Sequence, residues 1–259
     1  MNLHSKSKIL RHAALLGSGL LIAGLAVMPA TVSAIATKDV KESPFCTKLP
    51  AEITKLNTGL ATTATKLADA RTQRAQKLAD NRAKWDKAIT DSRAKWDQVR
   101  QTNFTKMESK AKTDTQKAAV TAYEASIKSA IATRRSADDT ARSTFRSAED
   151  RAISSQKTTV DSQVASLTSA VKGATGTAQA SCASNPSDGP TIRTTLQASL
   201  KSARETFAAG RKADNGLTGQ IKQLGLTRDA AFKANDAAFK TATSAARATL
   251  KSSFGTTKV

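Results

Sequence analysis

Few residues in this chain are of a type that does covalent or redox chemistry. His4 and His12 are the only histidines, and Cys46 and Cys182 the only cysteines. Both histidines fall in an N-terminal segment that reads as a removable leader. The rest of the chain therefore cannot assemble a Ser-His-Asp triad, a Cys-His pair or a His-ligated metal. The two cysteines are too far apart in sequence for a redox CxxC and too few for zinc; an even count in an exported chain favours one disulfide. That bond could close within one chain or join two antiparallel chains, and two free buried thiols are the remaining alternative. Phosphate-cradling and dinucleotide-binding glycine motifs are missing, as is an Asp-rich calcium loop. Asp138-Asp139 and Glu149-Asp150 are adjacent acids, which on a helix point about 100° apart, a poor arrangement for paired acid and base work. No enzyme, cofactor or metal is expected.

The chemistry that remains is anion binding. Among 259 residues, 41 Lys and Arg stand against 21 Asp and Glu, a formal charge of +20. The excess is concentrated in residues 66–112 and 182–259. The candidate anion-binding residues are Arg71, Arg74, Arg82, Lys84, Arg93, Lys95 and Arg100, with Trp85 and Trp96 interleaved among them. Such a surface could hold nucleic acid through phosphate contacts and counterion release, or anionic envelope polymers and lipid head groups. Acids are nevertheless interspersed almost everywhere and no polybasic run occurs. The plainer reading of the excess is a solvated face, and both tryptophans fall in an apolar stripe that reads as core.

The elements that would position these residues are helical. Residues 1–34 read as a signal peptide: Lys6, Lys8 and Arg11 without an acid, an apolar run from Ala13 to Met28, Pro29, and small residues ending at Ala34. The apolar run is close to the shortest membrane span, so an uncleaved N-terminal anchor is the alternative. Export is expected either way, whether to a secreted, periplasmic or cell-surface location. Residues 35–49 read as an extended N-terminal segment. Between Gly59 and Gly173 there is neither glycine nor proline. At 100° per residue, Ile53, Leu56, Leu60, Leu67, Leu78, Trp85, Ile89, Trp96 and Met107 share an arc of about 60°. A second stripe runs through Tyr123, Ile127, Ile131, Phe145, Ile153, Val160, Leu167 and Val171. Aromatic residues make up only 4% of the chain and alanine supplies much of the apolar fraction, which suits close-packed helices better than a deep core.

A single helix from 50 to 172 would be roughly 180 Å long and would hold the two cysteines apart. The chain is therefore expected to double back midway between Cys46 and Cys182, near Asp114. The polar patch 109–117 is suited to that turn, with Thr113-Asp114-Thr115 able to cap the returning helix. The fold would bring Leu60 opposite Leu167, Phe104 near Tyr123 and Trp85 near Phe145. Asp69-Ala-Arg71, Asp80-Asn-Arg82 and Asp91-Ser-Arg93 recur every 11 residues, as do Lys84-Trp85-Asp86 and Lys95-Trp96-Asp97. Eleven residues return to nearly the same helix face, about 20° past three turns. After a loop at 182–190, residues 191–259 form a third helical tract. The sets Asp229-Ala-Ala-Phe232-Lys and Asp236-Ala-Ala-Phe239-Lys echo each other within it, and glycines weaken its middle. One kinked helix is the favoured form, and a full break near Asn215-Gly216 the alternative.

The sequence thus predicts an all-α, elongated antiparallel helical bundle or coiled-coil hairpin: a long hairpin over 50–181 with a third tract alongside, kinked or broken near 210–225. The expected role is that of an exported structural or interaction protein of the cell envelope or extracellular space, a helical scaffold without catalysis. One rival is an exported basic binder of nucleic acid or anionic envelope polymers; another is a membrane-tethered helical protein with a retained anchor. The partner is undetermined, and the coiled-coil helices admit self-association.

Overall fold

A computed structural model describes residues 42–213 and 216–254; the leader at 1–34, with both histidines, lies outside the described residues. Four helices follow one another: α1 (Pro44–Lys110), α2 (Asp114–Ser184), α3 (Gly189–Ala213) and α4 (Gly216–Phe254), and the described residues contain no strand. Threonine is frequent in α1 and α2 although its intrinsic helix propensity is modest. Its hydroxyl satisfies itself locally, donating to the carbonyl four residues back, as Thr63 does to Gly59, Thr72 to Ala68, Thr90 to Asp86 and Thr168 to Val164.

α1 begins at Pro44, so the expected extended segment 35–49 is helical over its last residues. The reason is burial: Cys46 and Leu49 are core residues, Leu49 only 2% exposed. Proline suits the first helical position, where its missing N–H has no intrahelical role. The backbone N–H of Thr47 donates to the Ser43 carbonyl at 3.2 Å and that of Phe45 to Ser43 Oγ at 3.3 Å. Pro50 then sits inside the helix, and packing of Phe45, Cys46 and Leu49 offsets the backbone bond it cannot make.

The chain reverses at Ala111–Thr113. Thr113 caps α2, its Oγ1 accepting from the Gln116 N–H at 3.2 Å, while Gln116 Oε1 accepts from the N–H of Thr113 at 3.3 Å and of Lys112 at 2.8 Å. This is a reciprocal capping box, with Asp114 in the first turn where a helix favours negative charge. At the other end of α2 the loop is shorter than 182–190, since α2 runs to Ser184 and α3 starts at Gly189. The third tract is described as two elements, α3 and α4; residues 214–215 between them, where the alternative reading puts the break, lie outside the described residues.

The helices build two compact units, each drawing on both α1 and α2. The first comprises the described residues up to Arg74 together with Ala152–Gly219. Its core joins Cys46 and Leu49 of α1, Leu167, Val171 and Ala178 of α2, and Ile192, Leu196, Leu200 and Ala203 of α3, with Leu60 packed against it. Within this core Cys46 and Cys182 form a disulfide inside one chain, Cα atoms 5.5 Å apart, and no described cysteine is free. The loop before α3 is bound to the start of α1: the Ser43 N–H donates to the Pro186 carbonyl at 2.7 Å. A Cβ on Gly189 would lie 2.5 Å from that of Ser43, so only glycine permits the approach.

The second unit comprises Ala75–Arg151 and the described residues from Gln220 onward. Near the turn, Ala111, Val120 and Leu250 are buried, with Met107, Tyr123 and Phe254 packed on them. Phe104 and Tyr123 meet edge to face, centroids 6.2 Å apart. Farther along, α4 docks on α2 through guanidinium–ring contacts: Arg134 over Phe239 at 5.0 Å, Arg142 over Phe232 at 5.7 Å and Arg228 over Phe145 at 4.6 Å. Arg134 also pairs with Asp236 at 3.1 Å. The Asp-Ala-Ala-Phe echo is thus a docking repeat, placing Phe232 and Phe239 two turns apart against the arginines of α2.

Candidate functional site: the charged seam and the open face of α1

In the second unit, beyond the apolar contacts near the turn, α1 and α2 meet along a ladder of ion pairs. Arg82 donates twice to Asp150, at 2.8 and 3.1 Å, and once to Glu149 at 2.6 Å. Asp86 accepts two bonds from Arg146, at 2.8 and 2.9 Å. Arg93 grips Asp139 at 2.8 and 2.9 Å, and Asp97 accepts from Arg135 at 2.8 and 2.9 Å. The charge alternates in direction from rung to rung. As positions climb α1 in steps of four, seven and four, their mates descend α2 by the same steps. In the first unit Arg71 and Asp161 form one such pair at 2.5 Å.

Bidentate geometry makes the rungs of the second unit the stronger kind of exposed pair. Hydrogen bonding from Arg93, then from Arg142, holds the Asp139 carboxyl at about 2. Arg146 lowers Asp86, Arg135 lowers Asp97, and Lys157 followed by Arg71 lowers Asp161. The hydrogen bond to Asp150 leads those that raise Arg82, and that to Asp139 those that raise Arg93. These carboxylates stay ionised and engaged at neutral pH, which leaves them no proton to transfer.

The candidate anion-binding residues separate accordingly. Arg71, Arg82 and Arg93 are occupied by carboxylates of α2, and Arg100 pairs with Asp97 on its own helix. An external anion would have to displace those partners. Arg74, Lys84 and Lys95 form no ion pair among the described residues, and the two lysines are exposed. The partners on α2 repeat with the same period: Thr133-Arg-Arg-Ser-Ala-Asp-Asp139 is echoed by Thr144-Phe-Arg-Ser-Ala-Glu-Asp150. That echo is the signal by which Arg135, Arg146, Asp139 and Asp150 could have been found.

The tryptophans are not core. Trp85 is 53% and Trp96 40% exposed, and no ring contact joins Trp85 to Phe145, whose ring lies against Arg228. The cause is a difference of phase. On α1 the residues facing α2 are Arg82, Asp86, Arg93, Asp97 and buried Phe104, centred roughly 80° around the helix from the tryptophans. Because the seam is polar, the apolar stripe does not mark it past Leu78.

Among the described residues no three metal-ligating side chains converge, and no helix is long and apolar enough to cross a membrane. No protein-family model, curated protein or solved structure matches the chain.

Proposed function

We propose that this chain is an exported structural or interaction protein of the cell envelope or extracellular space, a helical scaffold rather than a catalyst. The observation that carries the reading is the ion-pair ladder of α1 and α2. The acids and arginines that could serve chemistry or ligand capture are instead committed to each other and fix one helix against its neighbour. The Cys46–Cys182 bond is compatible with an oxidising destination, and the leader sequence with export. Fractionation of the source cells, with the N-terminal mass of the native protein, tests this. The expected result is an exported chain beginning after Ala34 with its disulfide intact. A cytosolic chain with reduced cysteines would refute it, and an exported chain retaining residues 1–34 would favour the tethered form.

A second reading, an exported binder of nucleic acid or anionic polymer, is favoured by Arg74, Lys84 and Lys95 alone, which lack carboxylate partners. Anisotropy of labelled DNA at two salt concentrations distinguishes the two. A binder making 6–10 phosphate contacts loses about 10³–10⁵-fold in affinity between 50 and 200 mM salt, whereas a scaffold binds weakly at both.

A further inference from the structure

Of the exposed large apolar side chains of the second unit, Leu226 stands alone on α4 and the others gather on one face of α1. Trp85, Trp96 and Val99 are 53%, 40% and 40% exposed. At 100° per residue these three share an arc of about 80° with half-buried Leu78 and Ile89. The two tryptophans are the only ones in the chain and stand about 16 Å apart along the axis. Beside this face runs a row of exposed lysines, Lys77, Lys84, Lys95 and Lys106, none in an ion pair among the described residues. Asp80 and Asp91, the acids nearest that row, are engaged outside it, Asp91 by Lys87 at 2.8 Å and Asp80 by the Gln76 amide at 2.8 Å. The opposite edge is the ladder, where the charges cancel.

We propose that this face of α1 docks on an anionic lipid bilayer, with Trp85, Trp96 and Val99 entering the interface and the lysine row meeting the lipid phosphates. Tryptophan suits a membrane–water boundary because its ring is apolar and its N–H remains hydrated. Lysine stems can lie along the apolar face while their ammonium groups reach the head groups. Trp and aliphatic residues on one helix face with lysines beside them are the pattern of an interfacial helix. The charge selects the occupant. Without Lys6, Lys8 and Arg11 of the leader, 38 Lys and Arg still stand against 21 Asp and Glu, so a second copy would bring one chain of +17 against another. A nucleic acid strand would find free cations along one edge of the aromatic row only, since the arginines on the ladder side already hold Asp139 and Asp150. Leu78, Ile89 and Val99 also offer a base no stacking platform, whereas a bilayer accepts them. The proposal is independent of the scaffold reading, since neither the leader nor the disulfide enters it and a failure of either test leaves the other standing.

The tryptophans report on their own surroundings. Full-chain protein is titrated with vesicles of phosphatidylcholine alone and of phosphatidylcholine with phosphatidylglycerol, following tryptophan emission. The expected result is a blue shift on the anionic vesicles only, reversed by salt and seen for each remaining tryptophan in the Trp85→Phe and Trp96→Phe variants. Each lysine near an anionic surface contributes about 1 kcal/mol, so Lys84→Glu with Lys95→Glu should weaken binding at least about thirty-fold. These side chains are exposed, so helix content by circular dichroism should be unchanged; the wild-type emission carries the test even if a variant misfolds. Vesicle binding without a blue shift would mean attachment through another part of the chain and would overturn the proposal. An equal shift on phosphatidylcholine alone would also overturn it, as would a response only to single-stranded DNA or only to protein concentration.

Discussion

Reduction of the Cys46–Cys182 bond should destabilise the fold substantially, and by an amount that depends on how much of the chain unfolds. The bond spans a sequence separation of 136. If the whole enclosed segment becomes a flexible chain, the lost loop-closure constraint corresponds to about 5 kcal/mol. The loop nevertheless contains Ala75–Arg151, which packs in a unit with its own core at Val120 and Leu250. If that unit stays folded while the first opens, the loop is no random chain and the effect is smaller. Guanidinium unfolding by circular dichroism, with and without reductant, gives the total. Hydrogen exchange resolves its distribution, and protection should fall more at Leu49, Val171 and Leu196 than at Val120 and Ile127. Cys46→Ala with Cys182→Ala should reproduce the reduced protein, and the oxidised wild type should run as a monomer on non-reducing electrophoresis. Unchanged stability on reduction, within about 1 kcal/mol, would refute the view that this bond holds the ends of α1 and α2 together.

Acid should loosen the second unit: carboxylates lowered in the native state stabilise it fully above their unfolded pKa of about 3.9 and lose that contribution as the pH falls toward about 2. A melting temperature that is flat through that window at low salt would contradict the ladder. Gly189→Ala should destabilise by roughly 1–3 kcal/mol because the new methyl collides with Ser43, while Gly225→Ala, with open space around it, should stabilise by about 1 kcal/mol; thermal melts read both signs. Thr113→Ala should cost about 1 kcal/mol in the same measurement by removing the cap of α2.

Helicity, the reversal near residue 114 and the disulfide are legible in the sequence because each rests on a local or covalent constraint: absence of glycine and proline, a capping pattern, one pair of cysteines. The pairing of Phe104 with Tyr123 follows from the same geometry. The assignment of Trp85 and Trp96 to the core fails, because it treats apolarity as the mark of a helix seam. Between Arg82 and Asp97 arginine and aspartate form the seam, and charged residues read singly as solvated surface. Only when the two 11-residue echoes are laid antiparallel do Arg82 and Arg93 find Asp150 and Asp139. That the third tract packs alongside, with Phe232 and Phe239 echoing each other in it, is legible as well; the arginines of α2 that receive those rings are not, since a guanidinium leaves no periodic trace in hydropathy.

The alternating direction of the rungs has a consequence for folding. Two long, alanine-rich helices offer little steric reason to prefer one register over a neighbour, so a slip is cheap unless something forbids it. Slide α2 by one turn in one sense and Arg82 meets Arg146 while Arg93 meets Arg135. Slide it by one turn in the other and Asp86 meets Asp150 while Asp97 meets Asp139. Like charges face each other either way, so the ladder acts against the nearest errors more strongly than its modest attraction favours the native pairing. A slip of a full 11 residues would restore most of the pairs and escape this discrimination. The three residues of the turn, Ala111–Thr113, leave no slack for it. Charge pattern and turn length therefore fix the register jointly, each covering the error the other tolerates.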